Sequence, residues 1–281
     1  MESIKFTGKL ALAALLSGFG GPAFAGGFVE LEGVFESDDP GYSSADLTNR
    51  WLPLPEGSQF VHVAETEDEC NVSVLDVLPP AGQVTTEIKG VTIRTLWDRE
   101  FIAEGECPDD LTAIMAGEPV ESTLDWYAQD VDGNIWYFGE HSVATDHEEC
   151  DHPTNGDDPI LGLDGCLDGS WEAGKDIWTG EDDPDVMEGI IMLTNPKKGQ
   201  FYFQEFWEEE AEDMGKILNF KKVNSEYLDT IFYGCVVIKE WVPLEPGSIE
   251  HKYFCRDIGL VQVEGNAGGK TEWTYLVEVS D

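Results

Sequence analysis

From Thr123 the chain reads TLDWYAQ, turns at DVDGN, and returns as IWYFGE. Apolar and polar residues alternate with period two on both sides of the turn. That pattern belongs to a half-buried strand and not to a helix. Asp-Gly and Gly-Asn supply the positive φ angles a tight hairpin needs. The same signal is expected at 59–65, 71–78, 84–89, 91–97 and 100–104 before this hairpin. After it, strands are expected at 189–194, 200–207, 217–223, 231–241, 249–254, 258–263 and 271–279. The fold class that follows is all-β: a single large curved antiparallel sheet or half-barrel, disulfide-stapled, with few short helices. EEEAEDM (208–214) is the best short-helix candidate, or else an acidic bulge between strands.

Three domain-level segments are expected. Lys5 and Lys9, an apolar run from Leu10 to Phe19 and Ala23-Phe24-Ala25 read as a secretory signal peptide over residues 1–25. Residues 26–47 read as an extended acidic arm. Residues 48–281 read as the sheet domain, with an aperiodic insertion at 141–169. No later segment reads as an integral membrane span. Export suits the six cysteines, an even count with no C-x-x-C pair. Folding the chain about Leu244–Ser248 sets Cys235 opposite Cys255. Cys150 and Cys166 close a local acidic loop, which leaves Cys70 for Cys107.

Fifty-seven Asp and Glu stand against sixteen Lys and Arg, for a net charge of −41. Such a field repels nucleic acid and anionic membranes and attracts cations. Divalent cations, a basic partner or self-assembly are the partners it admits. Aromatic content of 11% with nine Trp argues against disorder.

Four sets of residues are candidate sites. Asp130, Asp132 and Asn134 resemble the start of a calcium loop. An EF-hand is excluded, because its twelfth position is His141 instead of Glu and its flanks are strands. Calcium capped by a second acidic loop remains, with Asp164 and Asp168 as further oxygen ligands. His141, His147 and His152 offer copper or zinc ligands in the insertion. Glu205, Glu210, Glu212 and Asp213, with Glu250 and His251 on a later strand, could assemble an acid–base site centred on Glu205, Glu212 and His251, although no nucleophile signature accompanies them. Trp126 and Trp136 could form a ligand-binding aromatic shelf, or both faces of their hairpin could be covered.

DWYAQDVDGNIWYFGE, GSWEAGKD, GIIMLTNPKKGQFYFQEF, EEEAEDM, KEWVPLEPGSIEHKYF and IGLVQVE occur in that order from Asp125 to Glu264. Together they resemble a broad family of exported, functionally uncharacterised bacterial β-sheet proteins. The resemblance spans residues 48–281 and implies an extracytoplasmic β-sheet fold. It implies no activity. The chain departs from that pattern at Phe254-Cys255-Arg256-Asp257-Ile258-Gly259, where the family reads Y-A-P-G-hydrophobic-G, and in the insertion carrying Cys150 and Cys166. Both departures add disulfides. The expected function is an exported, acidic, non-enzymatic binding or surface protein stabilised by calcium. The alternatives are a copper or zinc binder, a carboxylate hydrolase, and a carrier of an apolar ligand in the sheet's concavity.

Overall fold

The computed structural model describes residues 28–29, 33–65, 69–145, 150–244, 247–267 and 270–280. The signal-peptide segment and His147 lie outside these residues. Two antiparallel meanders make the body of the fold. The first runs Gln59–Glu65, Glu69–Val77, Arg94–Glu104, Glu121–Gln129 and Ile135–Ala144, each strand pairing with the next. The second runs Met214–Ser225, Thr230–Trp241, Ile249–Cys255, Gly259–Ala267 and Lys270–Ser280. Gln59–Glu65 pairs with Lys270–Ser280, so the two meanders fuse into one 16-stranded sheet.

The free sides of the meanders approach each other through one short segment. Phe201–Phe203 pairs with Met214–Ser225, whereas Glu205–Phe206 pairs with Met187–Met192, which in turn pairs with Ile135–Ala144. No single ladder runs across Gln204, so the sheet curls without closing. Register shifts at Val61/His62, Asp125/Tyr127, Lys221/Val223 and Tyr253/Phe254 supply bulges. Bulges increase local twist and bend a sheet.

Hydrophobic clusters pack on both faces of the sheet. Phe60, Leu96 and Phe254 lie on the concave side with Leu52 and Leu54 from the lead-in segment. Val61, Val63, Val72, Val74 and Phe101 form a second, outer core with Leu111, Ile114 and Met115 packed on it. Those last three come from the segment holding the short helix Thr112–Met115. In the described part of residues 26–47, Phe28 bridges to Phe201, Phe35 packs edge-on against Trp136 and Phe138, and turns close from Tyr42 to Asp39 and from Asp46 to Ser43.

All three disulfides form as the spacing predicts: Cys70–Cys107, Cys150–Cys166 and Cys235–Cys255. Cys235 and Cys255 sit opposite each other with Cα atoms 4.2 Å apart.

Several element boundaries differ from expectation. Residues 208–214 form no helix. Trp207 and Ala211 exchange backbone hydrogen bonds across a turn, with Glu209 at φ 68°. A seven-residue run with five acids lacks the length and charge balance to nucleate a helix against that competition. The runs at 91–97 and 100–104 merge into Arg94–Glu104, and 84–89 contributes only Glu87–Ile88. The insertion begins late, since the second hairpin strand continues to Ala144, where Cys166 bridges to it.

Candidate functional site

Alternation alone would place Tyr137 and Glu140 on opposite faces of their strand. The structure places them on the same face. Asp125 lies across from Glu140 and Tyr127 across from Tyr137, so Phe138-Gly139 stands opposite the single residue Trp126. The extra residue is a bulge, and Gly139 carries it at φ 131°. A Cβ there would come within 2.2 Å of the Trp171 carbonyl oxygen. The bulge thus turns Glu140 inward beside Tyr137.

The Tyr137 hydroxyl lies 2.7 Å from Asp125 Oδ1 and 2.7 Å from Glu140 Oε2. One hydroxyl has one hydrogen to donate. The second contact therefore needs a proton on one of the two carboxyls. Burial, then the charges of Asp98 and Glu121, push Asp125 up to about 7. Burial, then Asp125 and Glu205, hold Glu140 well above the usual carboxylate range. Glu205 is pushed up to about 8 by burial and by Asp213. Burial also raises Asp98, although Ser73 donates to it at 2.9 Å.

Asp98, Asp125, Tyr137 and Glu205 line a cavity of about 310 Å³ on the concave face, and Glu140 lies just outside it. Its walls come from both meanders, which shows how far the sheet curls. Its apolar lining includes Leu54, Phe60, Leu75, Leu96, Phe254 and Leu260. Its acidic lining is Asp98, Asp125, Glu205, Asp213 and Glu240, with Asp125 directly across from Leu96. Lys252 is the only Lys or Arg in the lining. Its Nζ lies 2.6 Å from Glu240, whose other oxygen accepts from Gln204. Burial by itself would lower the Lys252 pKa, but Glu240 and Glu250 outweigh it and raise it. His62 also lines the cavity, 3.1 Å from the Leu260 carbonyl, and burial lowers its pKa.

Of the residues singled out from sequence, Glu205 and Asp213 line this cavity. Glu212 instead accepts from the Glu209 backbone N–H in the turn. His251 projects from the face opposite its neighbour Lys252 and lies 3.6 Å from Glu264. The hydrolase trio is therefore not assembled. Trp126 and Trp136 are 6% and 4% exposed, so neither presents the open ring face a stacking shelf requires.

Asp130 is buried and accepts three hydrogen bonds at 2.8 Å, from the Asn134 backbone N–H, the Asn134 side chain and Trp136 Nε1. Asn134 Oδ1 accepts from the Thr194 N–H, and the Thr194 hydroxyl donates to the Asp132 carbonyl. These oxygens face N–H and O–H donors, the arrangement of a turn lock. Asp130→Ala is expected to cost about 3 kcal/mol by stranding those donors, with Asp130→Asn milder. Urea denaturation with and without calcium checks this. A loss that appears only with calcium present would mark a cation site instead.

In the insertion, His141 pairs with Asp158 at 3.1 Å and His152 with Asp168 at 3.0 Å. Asp158 also accepts the Ile160 and Leu161 N–H groups, and Asp168 those of Asp151 and His152. Asp164 accepts from the Thr154 hydroxyl. Among the described residues, the atoms of metal-ligand type that crowd within 4.8 Å of one another are those of Cys150, Cys166 and Asp168. Both sulfurs there are spent in a disulfide.

The acidic cavity was not assembled by sequence reasoning, apart from Glu205 and Asp213. A signal was present in DWYAQ…WYFGE, where Asp125 and Glu140 bracket an aromatic hairpin, but only the bulge brings them together.

No helix among the described residues is long and apolar enough to cross a membrane. No family model matches the chain, and no curated protein matches it. Three solved structures are similar to it. A provisionally assigned exported protein with a YmcC-like fold from Bacteroides fragilis NCTC 9343 is 13% identical, with 82% of this chain and 98% of that one covered and a TM-score of 0.34. A provisionally assigned lipoprotein from Parabacteroides distasonis ATCC 8503 is 11% identical, over 83% and 99%, with a TM-score of 0.36. A beta-barrel-like protein of domain of unknown function DUF1849 from Brucella abortus is 10% identical, over 79% and 95%, with a TM-score of 0.37. Likeness at these TM-scores supports no inference about this chain.

Proposed function

We propose that this is an exported, non-enzymatic binding protein whose concavity holds an amphiphile with a cationic amine head. The observation that carries the reading is the composition of one cavity. Its apolar part can cover an alkyl or ring body, and its acidic part faces inward with Lys252 as its sole Lys or Arg. Ligand pockets of this size range are mostly apolar with a few placed polar groups. The signal-like leader and three disulfides support export.

A cation entering the acidic part would let Asp125 and Glu205 ionise, so binding should release protons near neutral pH. Calorimetry with decyltrimethylammonium, below its micelle concentration, checks this. Binding is expected, with a heat that varies with buffer ionisation enthalpy. The double variant Asp125→Asn/Glu205→Gln should weaken it at least tenfold. Decyl sulfate and decyl maltoside are expected to bind far less. Equal binding of all three, or none, would sink the reading.

A further inference from the structure

A second pocket, outside the concavity, lies where the stapled insertion meets the turn at 207–211. Trp171, Trp178, Trp207, His152, Asp151, Asp168 and Glu210 are among the residues lining its volume of about 230 Å³, and among the described residues no Lys or Arg does. Two features set it apart from an ordinary acidic surface. The Trp178 and Trp207 rings are within 24° of parallel with centroids 6.5 Å apart. That spacing is about twice the 3.5 Å contact distance of packed carbon atoms. His152 stacks on Trp178 at 3.6 Å and 3°, so a flat imidazole already uses this indole as a platform. Three carboxylates surround the rings; burial raises Glu210, His152 opposes that shift, and the neighbouring charges of Asp151, Asp168 and Glu209 add to it. Among the described residues the basic side chain in the lining is His152, which already pairs with Asp168 at 3.0 Å.

We propose that this pocket docks an arginine side chain of a basic partner polypeptide. A guanidinium is flat, always charged and able to stack on indole while donating to carboxylates in pairs. A lysine ammonium offers the charge without the plane. The chain's net charge of −41 would draw such a partner from a distance. The Cys150–Cys166 staple anchors the side of the pocket that carries Asp151, His152 and Asp168. The inference does not rest on the cavity reading, since the two sites share no lining residue.

The test uses the exported chain and the peptides acetyl-Gly-Arg-Gly-amide, its lysine form and its citrulline form, in 150 mM salt. Indole N–H signals are followed by NMR. The arginine peptide is expected to shift the Trp178 and Trp207 signals and to bind at least fivefold tighter than the lysine peptide. The citrulline peptide, flat but neutral, should not bind. Trp207→Leu and Glu210→Gln should each weaken arginine binding about tenfold, and Asp125→Asn/Glu205→Gln should leave it unchanged. Should Trp207→Leu fail to fold, Glu210→Gln at the exposed rim decides. Binding of citrulline or lysine equal to arginine, no arginine binding, or binding indifferent to both pocket variants overturns the proposal. Tighter binding of free L-arginine than of the peptide also overturns it, because the site would then belong to the amino acid.

Discussion

Lys252→Met is expected to cost the fold about 3 kcal/mol at pH 8. Removing one partner of a buried ion pair leaves the other charge uncompensated, at about 3–5 kcal/mol. The lower end applies because the Lys252 side chain keeps 29% exposure. Methionine matches the stem in shape, so lost packing contributes little. What remains is a cavity with Asp98, Asp125, Glu205, Asp213 and Glu240 and no Lys or Arg in its lining. For a chain this size the loss corresponds to about 6–12 °C in Tm. It should shrink at pH 5, where Asp125 and Glu205, with pKa values of about 7 and 8, are protonated. Lys198→Met, at an exposed position, is the control and should change stability by less than about 0.5 kcal/mol. Denaturation at both pH values checks the pair. An equal loss at pH 5 and pH 8 would show that packing, not charge, holds Lys252 in place.

Removing a carboxylate from the same cavity should do the opposite. Asp125→Asn and Glu205→Gln are each expected to stabilise the ligand-free protein by about 2 kcal/mol at pH 8.5. Asp125 rises from 3.8 to about 7 on folding and Glu205 from 4.5 to about 8. The unfolded chain loses these protons near pH 4, while the folded chain keeps them until pH 7–8. Their contribution to stability is therefore full below pH 4 and is lost as the pH rises through 7 and 8. His62 acts in the other direction. Burial lowers its folded pKa, so folding is penalised once the unfolded histidine protonates below about 6.5. Two carboxyls outweigh one histidine, so the stability of the parent protein should fall as the pH rises from about 5 into the alkaline range. The amide variants should flatten that alkaline fall. They interact through shared neighbours, so the double variant should gain less than the sum. If Asp125→Asn destabilises at pH 8.5, the cavity requires an ionised Asp125 and the charge account fails.

Much of the frame was legible from residue order. Period-two runs located the strands because a strand's faces alternate whatever lies around it. Cys235 and Cys255 could be paired because both count outward from one turn. The DVDGN turn could be read as a hairpin because Gly133, at φ 84°, supplies a left-handed conformation. The failures share a cause. Helical spacing in EEEAEDM lost to a tight turn closed between Trp207 and Ala211. The hydrolase grouping of Glu205, Glu212 and His251 assumed one shared face, but His251 looks outward and Glu212 turns into a loop. Trp126 and Trp136 read equally well as core or shelf, since alternation does not say which face is covered.

Residue order by itself determined an antiparallel, disulfide-stapled sheet bearing a strong negative field, because strand periodicity, cysteine spacing and charge are local or additive quantities. The acidic cavity was decided only by tertiary structure. One bulge at Phe138-Gly139 puts Glu140 beside Tyr137 and Asp125, and the curl of the sheet carries Lys252 and Glu240 to them from the far meander. Register and curvature depend on contacts between distant strands, and no window of the sequence contains both sides of those contacts.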